Sequence, residues 1–498
     1  MSGIARVQRL RRLGVTALAA ALLAGCAVGP DFVRPQLPPG AGYLSGGEPK
    51  AAVVAGGEEQ HFVSGAKITD DWWRLFGSAK LDGIVRESLA GNQSVQAARA
   101  TLRQSDANLR AVYGVFFPQA DATFQAVRQK QAGNGGSAGG SIFNLFTLSA
   151  SVSYALDIFG GERRSVEGLR AQADVQRAQL SGTYLTLTGN IVTTVVAEAG
   201  YRDEIRATQE MVALMQEEIE VTEAQVEAGT VPYANLLSLR SQLATIEATL
   251  APLRQKVDQS DHLLALLSGR TPAEWLTPEI GLADLTLPGE LPLTLPSDLV
   301  RQRPDILAAE AQLHAASAEI GVATAKLFPS FTLDGSFGRS NNSIVQLFSA
   351  GSGLWSIALN ASAPLFHGGT LWSQKKAAEE AYQASLANYR LTVLSSFSQV
   401  ADTLRALEHD GEALRAQSRA LETADEALRL IRANYQAGIA TYLQLLVANS
   451  QYHQAQIGYL QAKAQRLQDS AALYVALGGG WGKEGKPLGD ISAVESKQ

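Results

Sequence analysis

Cys26 is the only cysteine of the chain, so no intrachain disulfide can form. Three methionines, Met1 included, are too few to line a path for a soft metal. The six histidines (His61, His262, His314, His367, His409 and His453) are scattered without any pair at metal-ligand spacing, so neither a metal nor a cofactor is expected. Basic residues are outnumbered, 42 Lys and Arg against 48 Asp and Glu, and the net charge is −6. That balance excludes the basic face a nucleic-acid partner requires. Past the N-terminus no segment approaches the run of about 18 apolar residues that a membrane-spanning helix needs. Any crossing of a membrane therefore falls to strands.

The N-terminus reads as a processing segment, with 1–25 a signal peptide. Arg6, Arg9, Arg11 and Arg12 form its basic region, and Val15 to Ala24 is an apolar stretch of ten, half of what a spanning helix takes. Leu23-Ala24-Gly25-Cys26 follows. Small residues before a lone thiol suit cleavage between Gly25 and Cys26 and lipid attachment at Cys26. Firm anchoring by several acyl chains is the consequence. Residue 27 is alanine rather than aspartate, so nothing retains the protein at the inner membrane.

The remainder is a duplication. Phe116-Phe117-Pro118 recurs as Leu327-Phe328-Pro329, Ile158-Phe159-Gly160-Gly161 as Leu365-Phe366-His367-Gly368-Gly369, and Glu227-Ala228-Gly229 as Gln436-Ala437-Gly438. Leu266-Leu267-Ser268-Gly269 recurs as Val475-Ala476-Leu477-Gly478. These landmarks keep one order and offsets of 207 to 211. The expected division is a lipid-anchored extended segment at 26–80, repeat 1 at 81–269, a Pro-rich connector at 270–296, repeat 2 at 297–478 and a tail at 479–498.

Each repeat switches hydrophobic period. Leu81 to Phe117 and Ser297 to Phe328 have helical composition and end at prolines. Alternation follows: Ala120, Ala122, Phe124 and Ala126 against Gln119, Asp121, Thr123 and Gln125, then Phe146 to Leu156 against Thr147 to Ser153. Repeat 2 carries Phe331, Leu333 and Phe337, then Trp355, Ile357, Leu359 and Ala361. Four strands of about ten residues, apolar on one face and small-polar on the other, fit a barrel with lipid outside and water inside. Two hairpins lying on a soluble core give the same pattern.

Long helices weigh against the soluble alternative. Gly161 to Ala228 and Gly369 to Ala437 each run proline-free for a length of about 100 Å at 1.5 Å per residue. Helices of that length read as coiled coil. In each repeat the two shorter helices, Leu81 to Phe117 with Tyr233 to Ser268 and Ser297 to Phe328 with Tyr442 to Leu477, sum to about the length of the long one. Pro252 breaks or kinks one of them. Four strands cannot close a barrel, so a barrel must be shared between chains, as a dimer of eight strands, a trimer of twelve or more.

Several runs resemble a known family: Cys26-Ala27-Val28-Gly29-Pro30-Asp31-Phe32, Asp71-Trp72-Trp73-Arg74-Leu75-Phe76, Arg303-Pro304-Asp305-Ile306 and Ile320-Gly321-Val322-Ala323. Over the whole mature chain the sequence resembles the outer membrane factors, the TolC-like exit ducts, in the lipoprotein branch that serves resistance-nodulation-division pumps. The resemblance implies a mixed α and β membrane protein: a homotrimer with a shared 12-stranded transmembrane β-barrel, four strands per chain, and a long coiled-coil α-barrel. It also implies a passive, non-enzymatic efflux channel in the outer membrane, partnered by a periplasmic adaptor protein and an inner-membrane pump. Loops Gly133 to Ser141 and Ser340 to Gly353 then face outside. Gly229, Thr230, Tyr233, Gly438, Ile439 and Tyr442 form the adaptor-docking tip, and Asp425, Glu426, Arg429 and Arg432 are candidates for the gate. An exit duct for secreted polypeptides and a lipid-anchored periplasmic scaffold remain as alternatives.

Two motifs are set aside. Gly135-Gly136-Ser137-Ala138-Gly139 fits a hydrolase pattern but lies in a low-complexity loop rather than a strand-to-helix elbow. Gly478 to Lys483 is a residue short of a phosphate loop and is followed by Glu484.

Overall fold

The computed structural model describes residues 27–36, 43–44, 51–52, 60–66, 68–131 and 141–480. Cys26, the signal peptide, the Gly133–Gly140 stretch and most of the tail lie outside the described residues. The strands are β1 (Ala51–Ala52), β2 (Gln60–Ser64), β3 (Gln119–Gln131), β4 (Ser141–Leu156), β5 (Glu290–Leu293), β6 (Ser330–Asn341) and β7 (Gly353–Ser362). The helices are α1 (Ala79–Gly91), α2 (Gln93–Val112), α3 (Gly161–Glu227), α4 (Tyr233–Ala248), α5 (Leu250–Leu267), α6 (Pro296–Gln302), α7 (Pro304–Ala325), α8 (Thr370–Gln436) and α9 (Tyr442–Ala476). Among the described residues no helix is long and apolar enough to cross a membrane. α3 and α8 have 67 residues each, as the proline-free runs predict.

The chain divides into two compact units. The first comprises the N-terminal stretch to Pro35 with 101–176 and 309–389; the second holds the remainder. The first unit is built on one antiparallel sheet of order β3-β4-β6-β7, which joins the hairpins of both repeats. Continuous pairing runs from Gln119↔Ser153 to Gln131↔Ser141, from Phe146↔Asn341 to Leu156↔Phe331, and from Ser330↔Ser362 to Arg339↔Gly353.

The second unit has an apolar core in which Trp72 stacks on Tyr474, 5.3 Å between centroids, beside Phe76, Ile191, Leu299 and Leu473. Trp72 and Trp73 are buried in this core. A small sheet of order β1-β2-β5 lies in this unit, with β2 and β5 parallel. Tyr43 donates to the carbonyl of Thr294 there, 2.9 Å away.

The structure divides both expected first helices. Leu81 to Phe117 breaks at Asn92, and Ser297 to Phe328 breaks at Arg303, 211 residues on. Asn92 ends α1 with extended backbone and caps the next helix, its Oδ1 accepting from the Val95 amide at 3.0 Å. At the matching place Pro304 cannot continue the donor ladder of α6, and Arg303 is extended. Tyr233 to Ser268 divides at Thr249, three residues before Pro252, whereas α9 is continuous.

Candidate functional site

Strand register sorts the faces of the first unit's sheet. Asp121, Ser151, Ser336 and Ser356 form one row across all four strands. The same face carries Thr123 bonded to Ser149 (3.0 Å), Thr147 to Ser340 (3.1 Å) and Ser336 to Ser356 (2.8 Å). Asp334 accepts from Ser153 at 2.6 Å and from Asn360 at 2.7 Å. The other face is apolar, with Ala122, Ala150, Phe337 and Trp355 in one row and Ala120, Val152, Gly335 and Ile357 in the next. Water suits the first face and lipid the second. Among the described residues, the outer edges of β3 and β7 pair with no strand.

In the same unit the run from Val28 to Arg34 is strapped to the start of α3 and to α7 between Glu310 and Gly321. The Val28 amide donates to the Phe159 carbonyl at 3.0 Å. Buried Arg164 reaches Asp31 at 2.7 Å and also pairs with Glu167. Burial lowers the Arg164 pKa, but its bonds to Asp31 and Glu167 outweigh that and hold it raised. Phe32 stacks on His314 at 4.4 Å, and Arg34 pairs with Glu310 at 2.7 Å. Gly29 has φ +95°, and a Cβ on it would come 2.5 Å from Gly321 Cα. The Val-Gly-Pro-Asp-Phe run and Gly321 therefore fit each other through bare backbone.

In the second unit both long helices end alike. Gly229 (φ +70°) follows α3, and Thr230 donates back to the Gln225 carbonyl. Gly438 (φ +75°) follows α8, and Ile439 donates back to Asn434. This left-handed stop favours glycine. Thr441 then caps α9 in a reciprocal box with Gln444.

Beyond these turns a buried polar cluster joins three helices. Glu218 of α3 accepts from Arg432 of α8 at 2.9 Å and from Asn449 of α9 at 2.7 Å. Burial raises the Glu218 pKa against both partners. Tyr442 packs nearby, its hydroxyl pushed up to about 12 by burial and by Tyr435 and Glu218. Of the four gate candidates only Arg432 enters this cluster. Asp425 and Arg429 pair with each other at 3.0 Å along one exposed helix face, and Glu426 is exposed with no partner among the described residues. Glu218 and Asn449 were missed from sequence. The signal was the helical spacing of Met211, Met215, Glu218 and Thr222, which sets Glu218 on the face that Met211, Met215 and Thr222 bury.

Two further acidic pairs lie between long and short helices of this unit. Burial and the nearby Asp261 raise the Glu198 carboxyl to about 7, despite its 2.7 Å bond to Arg202. Burial and Asp469 likewise raise Asp410, with Arg466 opposing.

The comparisons with known proteins fit this geometry. The family model described as outer membrane efflux protein matches 84–270 and 295–479, one stretch in each repeat. The chain belongs to the outer membrane efflux protein family. A pyoverdine export outer membrane protein, OpmQ, of Pseudomonas putida is 30% identical over 82% of this chain and 88% of its own length. Nodulation protein T of Rhizobium leguminosarum is 29% identical over 92% of both. Among solved structures, the outer-membrane channel OprN superposes with a TM-score of 0.84 at 26% identity, covering 92% of this chain and all of the other. The open state of the Neisseria gonorrhoeae MtrE channel gives 0.79 at 26% identity, over 92% and 99%. This efflux protein has the TolC-like channel fold, resides in the outer membrane and is the channel component of an efflux pump.

Proposed function

We propose that three copies of the chain close a 12-stranded barrel whose Ser, Thr and Asp face lines a continuous water path. The channel performs no chemical step and conducts passively; an inner-membrane resistance-nodulation-division pump supplies the energy and a periplasmic adaptor protein couples the two. The observation that carries this reading is the unbroken polar row from Asp121 to Ser356, backed by apolar rows on the opposite face of a sheet with two open edges. Cys26 is the lipid attachment site after cleavage at Gly25, and the strap from Val28 to Arg34 fixes the anchored end to the first unit.

The adaptor docks on the turns at Gly229, Thr230 and Tyr233 and at Gly438, Ile439 and Tyr442. Ile439 and Tyr233 support this, being 76% and 56% exposed beside backbone that only glycine forms at low cost. Within the gate set Asp425, Glu426, Arg429 and Arg432, the working contact is Arg432 with Glu218, since it alone joins two long helices. The expected division at 1–25, 26–80, 81–269, 270–296, 297–478 and 479–498 stands as part of the proposal.

The test is planar-bilayer conductance of the purified protein. Discrete channel steps are expected, together with a cross-linked trimer. A water-soluble monomer without conductance overturns the proposal.

A further inference from the structure

Charge in the spanning strands is sorted by sign. From Gln119 to Leu156 and from Ser330 to Ser362 there are five charged residues: Asp121, Asp334, Arg128, Lys130 and Arg339. Both aspartates lie on the polar face, near the helix-connected end of the sheet. All three cations lie on the apolar face toward the hairpin loops. Arg128 is in line with Phe124 and Ala126 and opposite Asn144, Lys130 is opposite Ile142, and Arg339 is opposite Leu148. The loops Ala132–Gly140 and Asn342–Ser352 contain no carboxylate. Arg128 and Lys130 are exposed and have no hydrogen-bond or ion-pair partner among the described residues.

A cation on a lipid-facing strand is costly at mid-bilayer, about 2–4 kcal/mol, and nearly neutral at the interface. Position resolves the cost. From Leu156 to Asn144, the partner of Arg128, the strand rises about 40 Å, or about 30 Å of height at a tilt of about 40°. An apolar band is about 25 Å tall, so Arg128 and Lys130 emerge just past it, where headgroups begin.

The neighbouring loop extends the apolar surface. Arg339 donates to the Ser349 carbonyl at 3.0 Å and lies over the Phe348 ring at 5.9 Å. That folds the loop against the apolar face. The loop exposes Ile344, Val345 and Phe348, with Val345 at 88%. Large apolar groups and unpaired cations at the loop end of one sheet face match neither bulk water nor hydrocarbon alone; they match the boundary between acyl chains and an anionic headgroup.

We propose that Arg128 and Lys130 bind phosphate-bearing lipid headgroups of the outer leaflet, while Arg339, held by Ser349 and Phe348, fixes the apolar loop on the same face of the sheet. Acyl chains lie along the Phe124, Leu148 and Phe337 face, and the phosphates pair with the cations. The proposal depends on these strands spanning the outer membrane.

The experiment uses the full detergent-solubilised protein and native mass spectrometry with diphosphoryl lipid A, dephosphorylated lipid A and inorganic phosphate. The Arg128→Gln/Lys130→Gln variant is compared with the unaltered chain; neither residue has a partner among the described residues, so folding is retained. Diphosphoryl lipid A is expected to bind the variant roughly thirtyfold more weakly, the effect of two basic residues at an anionic surface. Dephosphorylated lipid A should not distinguish the two proteins. Equal binding of diphosphoryl lipid A by both proteins overturns the site. So does displacement of the lipid by inorganic phosphate, which marks a general anion site. Conductance of the same variant stays unchanged, so the failure of this site and the failure of the conduit are read separately.

Discussion

The side-chain amide of Asn92 donates to the backbone carbonyl of Leu267, 2.8 Å away. In the second repeat Arg303 makes the matching contact, its Nη1 donating at 2.9 Å to Ala476, 209 residues beyond Leu267. The residue at each helix break thus fastens the end of the last helix of its own repeat. The glycines that follow, Gly269 and Gly478, have φ +74° and +91°, and a Cβ on either would meet the opposing break. The arginine does more than the asparagine, because it also binds the Ser396 carbonyl, Gln399 and Asp305.

Arg303→Met should therefore destabilise the protein by about 2–4 kcal/mol, since it leaves the Ser396 and Ala476 carbonyls without their donor. Asn92→Ala should cost about 1–2 kcal/mol, as for the loss of a helix cap. Thermal unfolding of the purified assembly measures both. An Arg303→Met loss no larger than that of Asn92→Ala refutes the ranking.

Glu218→Ala removes the acceptor of both Arg432 and Asn449 and leaves a half-buried guanidinium without its carboxylate. We expect a longer-lived open state and larger mean single-channel current. Asp425→Asn with Arg429→Gln should leave conductance unchanged, because an exposed pair at i,i+4 contributes only about 0.3–0.5 kcal/mol. The reverse pattern would move the gate to the exposed pair.

At Gly29 an added methyl meets the Gly321 backbone at 2.5 Å and must take φ +95°. Gly29→Ala should release the strap at a cost of about 1–3 kcal/mol. Hydrogen exchange at the Val28 amide, bonded to Phe159, should rise strongly while the sheet amides stay protected.

The Glu198 carboxyl, raised to about 7, holds a proton in the folded chain that the unfolded chain has lost. Its stabilising contribution is complete below the ordinary carboxylate range and disappears as pH rises through about 7. Stability should fall between pH 5 and pH 8 by on the order of 2 kcal/mol. Glu198→Gln should flatten that slope, leaving the part due to Asp410. Unfolding midpoints across this range decide the matter.

With Cys26 changed to serine the chain is free of cysteine, so labelling can map the strand faces. Ser151→Cys and Thr123→Cys should react with a charged, membrane-impermeant thiol reagent in the reconstituted protein. Leu148→Cys and Val152→Cys should resist it.

The repeat, the four strands and the long helices were legible because each rests on periodicity or on proline and glycine, which act locally. The breaks at Asn92 and Arg303 were passed over, although Gly91-Asn92 and Pro304 each favour a helix end locally. What the sequence does not carry is how each break is fastened, since the carbonyl that Asn92 binds belongs to a residue 175 positions away. Glu218 escaped for a related reason: an acidic residue in a charged-looking helix reads as solvated until Arg432 and Asn449 arrive from another repeat. Arg128, Lys130 and Arg339 stood in plain alternation. Their common face became visible only when the register aligned three strands.

Because β3 and β7 each keep an unpaired edge, a lone copy entering a bilayer has no low-energy form. Insertion and association must then proceed as one event, so the appearance of the barrel should be steeply dependent on protein concentration. The second unit, with its own interior, can acquire structure beforehand in water. Dilution during biogenesis thus selects between waiting on the periplasmic side and committing to the membrane.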